Sequence, residues 1–179
     1  MEEKRDRLKA PLYASLSLAF ASFGDAFLYP FLPVNSISVG VPVVWIGVLL
    51  SINRFVRIIS NSWMVHLFSK YGLRLITIIA VLLAITSTAG YAFANTIFLW
   101  LIFRVVWGLS FSAMRISTLG YALQHTQQGF VLGLTRGIQE SGPMIGTFTS
   151  YQFQHVNNLL VVGHYFIACL ILCVDTSNR

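Results

Sequence analysis

Charge is what this chain has least of. Of its 179 residues only 10% are Asp, Glu, Lys or Arg, while 56% are hydrophobic, and the mean hydropathy is +0.72. A soluble domain carries about 25% charged residues, so the supply is less than half of what a water-facing surface uses. Three stretches hold no Asp, Glu, Lys or Arg at all: 26–53, 75–103 and 141–174. Each is longer than the roughly 20 apolar residues with which a helix crosses the hydrocarbon core. Cysteine is scarce too. Cys169 and Cys173 stand four apart in the last apolar run, where they read as small apolar residues rather than a disulfide or metal pair. The alternating ten-residue segments of a β-barrel are missing. Lipid admits only helices and closed barrels as spanning structures. The fold class is therefore all-α, a polytopic membrane protein with its spans in a six-helix bundle.

Catalytic signatures are missing as well. No Ser/His/Asp arrangement, H-E-x-x-H sequence or phosphate-cradling glycine loop is present, and His66, His125, His155 and His164 are scattered. An enzyme, a cofactor or a metal site is not expected. The net charge of +6 would suggest nucleic acid in a soluble protein. Here the placement of the charges matters more than their sum, and the bilayer is the expected environment.

Six spans are expected, at 11–33, 42–68, 73–94, 97–123, 130–153 and 159–174. They form one transmembrane domain over 11–174, between a cytoplasmic segment at 1–10 and the start of a cytoplasmic loop or tail at 175–179. Cleavage as a signal peptide is not expected, because Glu2, Glu3 and Asp6 dilute the basic start and the apolar run outlasts a signal core. Lys4, Arg5, Arg7, Lys9, Lys70, Arg74 and Arg179 fall on one side of this arrangement, and the opposite connections carry no Lys or Arg. The positive-inside bias then puts both termini in the cytoplasm, in a cell (plasma or inner) membrane.

Seven ionisable residues fall inside the spans: Asp25, Arg54, Arg57, Arg104, Arg115, Arg136 and Glu140. A charge at membrane depth is costly and marks an ion or substrate path. Arg115 and Arg136 are near enough to helix ends to snorkel to the interface, whereas Asp25, Arg54, Arg104 and Glu140 are not. Helical spacing puts Ser22, Asp25 and Tyr29 on one face, Asn53, Arg57 and Asn61 on another, and Arg104, Gly108, Phe111 and Arg115 on a third. Asp25 and Arg104 both fall in the outer half of the bilayer, which makes them a candidate ion pair. Glu140 is a candidate partner for Arg54 or Arg57, or for Arg136 within its own helix. Five cations against two anions leave an excess of three. An anionic substrate, acidic residues of a partner chain, or backbone carbonyls can each offset it. Arg54, Arg57, Asn61, Arg115 and Arg136 are candidates for a substrate cavity, with Trp107 beside Gly108 as a further lining residue.

The fifth span carries two rows of small residues, Gly129–Gly133–Gly137–Ser141 and Gly142–Gly146–Ser150. Such rows let helix backbones approach closely. Pro143, among them, removes a backbone donor and is expected to loosen or kink the helix.

Three sequence features together resemble the amino-terminal half of a major facilitator superfamily transporter, over nearly the whole chain. Val65 to Arg74 (V-H-L-F-S-K-Y-G-L-R) is similar to that family's G-x-L-a-D-R-x-G-R-R signature through Leu67, Lys70, Gly72 and Arg74, with Val65, Ser69 and Leu73 as departures. R-V-V-W-G-L-S-F-S from Arg104 resembles the fourth-helix signature R-x-x-q-G-x-g-a-a through Arg104 and Gly108. Gly142, Pro143 and Gly146 resemble the G-P-x-x-G-G antiporter signature, with Thr147 in place of the last glycine. The resemblance implies proton-coupled export of a small organic solute by alternating access, with Asp25 as proton carrier beside Arg104; Glu140, by its depth in the fifth span, is a further coupling candidate. The resemblance also implies a second six-helix half, as more chain or as a homodimer partner, with the substrate between the halves. A remnant or interaction subunit without transport of its own is the competing expectation.

Overall fold

The computed structural model describes residues 2–36, 41–94 and 96–152. The expected sixth span, the tail at 175–179, both cysteines, His155 and His164 lie outside the described residues. Within them the chain is helical, in five helices and no strands: α1 Glu2–Val34, α2 Val43–Tyr71, α3 Leu73–Phe93, α4 Ile97–Leu123 and α5 Gln128–Gln152. Helix α1 begins at Glu2, and its part apolar enough to cross a membrane begins at Lys9.

Each boundary has a local cause. Pro42, at φ −59° and ψ 140°, precedes α2 as its N-cap, a position where its missing N–H costs nothing. Gly72 separates α2 from α3 at φ 82° and ψ 156°, and its N–H donates to the Phe68 carbonyl at 3.0 Å. That backbone region is open essentially to glycine alone, so the helix reversal depends on this residue. Helix α5 runs through Pro143 without ending.

Among the described residues, four helices are long and apolar enough to cross a membrane: Lys9–Val34, Val43–Tyr71, Leu73–Tyr91 and Ile97–Leu123. The fifth expected span differs. Helix α5 has the length, 25 residues, but its glycines, glutamines and threonines and the pair Arg136 and Glu140 make it too polar to qualify by composition. Large apolar side chains point outward from the bundle, among them Val44, Ile59 and Phe98. An apolar exterior of this extent suits lipid rather than water.

Helix α4 packs against α1, α2, α3 and α5, and α5 lies along α1. Two apolar clusters form the interior. One joins Leu18 and Ala21 of α1 to Met64, Ala80, Ala84, Trp107 and Met114. The other joins Leu28 and Leu32 to Leu49, Tyr91 and Trp100. Between them in chain order, on α1 and α4 alike, fall Asp25 and Arg104. Trp107 is thus part of the packed interior, 3% exposed and tilted against Phe111 with ring centroids 6.1 Å apart. It shares an apolar cluster with residues of α1, α2 and α3, where a large ring contributes to packing.

The two small-residue rows of α5 also part company. A Cβ at Gly142 would run into the backbone carbonyl of Ala19, and one at Gly146 into that of Phe23. This row lets α5 close on α1, as small residues do between membrane helices. Gly129, Gly133 and Gly137 have nothing within 4 Å of such a Cβ, so the longer row is not a helix contact among the described residues.

Candidate functional site: a carboxylate held by two guanidinium groups

The polar stripes of α1, α2 and α4 converge on Asp25. Arg104 Nη1 donates to Asp25 Oδ1 at 2.5 Å, and Arg57 Nη2 donates to Oδ2 at 2.9 Å. Asn53 Nδ2 lies 3.3 Å from both oxygens. Asp25 and Arg104 are 9% and 0% exposed, and Arg57 is 22% exposed. Charge-assisted bonds of this length are the strong kind. Depth along the helices had pointed to Asp25 and Arg104, and the structure brings them together.

Local sequence explains the convergence. Gly108 stands one turn after Arg104, and a Cβ there would lie 3.0 Å from Asn53 Oδ1 and from Val56 Cγ1. Its absence lets α2 come close enough to α4 for Asn53 and Arg57 to reach the carboxylate. Ser112, one turn further along, donates to Asn61 Oδ1 and approaches the Arg57 carbonyl at 3.4 Å, tying the same two helices below the cluster. Two aromatic rings lie beside arginines of α2. Arg57 lies 3.6 Å above the Phe111 centroid, and Arg54 lies 5.7 Å from that of Tyr29. A cation–π contact attracts a guanidinium without using its N–H donors.

The cluster is not neutral. One carboxylate faces two guanidinium groups, and the buried nitrogens Arg57 Nε, Arg104 Nε and Arg104 Nη2 have no hydrogen-bond partner. Unsatisfied buried donors are costly, charged ones most of all. Beside the cluster opens a groove of about 240 Å³, lined from α1, α2, α4 and α5 by residues including Asp25, Tyr29, Arg54, Arg57, Phe111 and Pro143. A second cavity of about 500 Å³ has Asn61, Arg115, Thr135, Arg136 and Gln139 among its lining.

Glu140 is not part of this site. Its carboxylate is 72% exposed and lies 3.8 Å from Arg136, one turn away on α5. The suggested pairing with Arg54 or Arg57 is corrected, because α5 packs on α1 and α4 and not on α2. Arg57 instead takes Asp25, and Arg54 faces the groove with Tyr29. Lys70 and Arg74 are exposed at the α2–α3 turn, with the Lys70 ammonium 5.2 Å from the Tyr71 ring centroid. Asn53, Tyr29 and Phe111 belong to the site but not to its expected residues. The signal was helical spacing, which puts Asn53 on the stripe of Arg57, Tyr29 on that of Asp25 and Phe111 on that of Arg104. No protein-family model matches the chain, and no curated protein matches it.

Proposed function

We propose that the chain is the amino-terminal six-helix half of a secondary transporter of the major facilitator type. It exports a small organic solute in exchange for protons by alternating access. The observation that carries the reading is the buried Asp25–Arg104–Arg57 cluster, which forms one wall of a groove shared by α1, α2, α4 and α5. An ion pair between helices, next to a solvent-reachable groove, is a two-state element. Protonating Asp25 removes its hold on both arginines and shifts the balance between inward-open and outward-open arrangements. The close glycine contact of α5 on α1 fits a helix pair that moves as one body. A second six-helix half, or a second copy of the chain, completes the substrate site between the halves. Both termini are cytoplasmic in this reading, and the membrane is the cell membrane.

The test uses inside-out vesicles with an acidified lumen and a pH-sensitive dye. Addition of an exported solute should discharge the proton gradient, and Asp25→Asn should abolish the response while the protein remains in the membrane. A solute-dependent discharge that survives in Asp25→Asn refutes the coupling. Absence of any discharge across a panel of organic cations, neutrals and anions refutes the transport reading.

A further inference from the structure

We infer that the groove between α1, α2, α4 and α5 binds an organic carboxylate, a monoanion with a small apolar body, whose head sits between Arg54 and Arg57. The inference names the substrate class of the proposed transporter and rests on that reading for its physiological role. The binding itself follows from charge, donors and shape.

Charge comes first. The buried set of Asp25, Arg57 and Arg104 carries a net charge of +1, so one negative charge neutralises it. Arg54 adds another cation at the groove; among the described residues it has no carboxylate partner and lies 5.7 Å from the Tyr29 ring centroid. Glu140, the other acid placed in the spans, is turned away on α5. A partly buried excess of positive charge of this kind draws an anion.

Donor geometry narrows the class. Arg57 lies 3.6 Å from the Phe111 ring centroid and Arg54 5.7 Å from that of Tyr29, contacts that use none of the N–H donors of either guanidinium. An edge of two parallel N–H groups matches a carboxylate better than a spherical halide. Arg57 already spends one of its nitrogens on Asp25 and its Nε is buried, so Arg54 supplies the more open of the two donor sets at the groove. Shape supplies the rest. Ala26, Phe111 and Pro143 give the groove an apolar wall next to its cations, and its volume of about 240 Å³ suits a molecule of one ring rather than a large drug. Bare inorganic phosphate would leave that wall uncovered.

Asp25 and the bound carboxylate then compete for the same arginine. Taking the charge from Asp25 should strengthen ligand binding, whereas a purely structural role for Asp25 would weaken it.

Equilibrium dialysis of radiolabelled benzoate against the full chain in mild detergent tests this without any transport step. Saturable binding is expected. Arg54→Gln, an exposed substitution that leaves the buried cluster intact, should weaken it about tenfold, the loss of one charge-assisted bond. Benzamide, of the same shape without the charge, should fail to compete, and inorganic phosphate should compete only weakly. Asp25→Asn should bind benzoate more tightly and gain more thermal stability from it than the unaltered protein. Where Asp25→Asn does not fold, Arg54→Gln decides alone. No saturable benzoate binding, equal binding by Arg54→Gln, or full competition by benzamide each overturns the inference. Benzoate binding with these properties in a protein that discharges no proton gradient would uphold the site and refute transport.

Discussion

Replacing Asp25 by Asn leaves Arg104, with 0% exposure, without the one carboxylate that compensates it. Arg104 cannot give up its proton, and two of its nitrogens already lack partners. Breaking a buried pair in this way costs about 3–5 kcal/mol. The reciprocal change, Arg104→Gln, leaves Asp25 with Arg57 at 2.9 Å and Asn53 at 3.3 Å, so its cost is smaller, about 1–3 kcal/mol. The double variant removes both the buried cation and the buried anion. Its cost should fall short of the sum of the single costs by about 2 kcal/mol, the interaction energy of groups in one network. Reversible unfolding in mixed micelles, followed by tryptophan fluorescence, measures all three. Trp100 and Trp107 are buried one turn either side of Arg104 and report on this region. Additive costs, to within about 0.5 kcal/mol, would refute a direct energetic link between Asp25 and Arg104.

The glycine rows of α5 give a contrast between neighbours in sequence. Gly142→Ala should destabilise the bundle by about 1–3 kcal/mol, because the added Cβ meets the rigid backbone of Ala19. Gly133→Ala, into open space, should stabilise the helix by about 0.5–1 kcal/mol; the same unfolding assay reads both, and equal effects would contradict the packing described. Gly72→Ala, forced into φ 82°, should cost about 1–3 kcal/mol and leave the Asp25 cluster intact. A melting curve combined with benzoate dialysis separates the two effects, and unchanged stability would contradict a glycine-dependent turn.

Much of the architecture was legible in the chain because it depends on local properties. Long uncharged runs, and the need of every backbone group in lipid for a hydrogen bond, dictate helices. Proline and glycine mark where α2 begins and where it gives way to α3. Helical period alone aligned Asp25 with Tyr29, Asn53 with Arg57, and Arg104 with Phe111, since residues three and four apart share a face whatever the neighbours are. Relative depth even selected Asp25 and Arg104 as partners.

Which faces meet is a different kind of quantity. It depends on how four helices rotate about their axes, and that is set by the closest approaches available. Gly108 admits α2 to α4, and so brings Arg57 and Asn53 to Asp25; without that approach Glu140 was an equally reasonable partner for Arg57. Gly142 and Gly146 admit α5 to α1, which turns Glu140 outward onto Arg136. Trp107 illustrates the same limit, since its position beside polar residues in sequence said nothing of the apolar cluster it fills. Sequence alone determined that cations would outnumber anions in the apolar spans. Only the tertiary structure gathered two of those cations on a single carboxylate beside an open groove, because the rotation of each helix follows from packing between helices and not from the period within one.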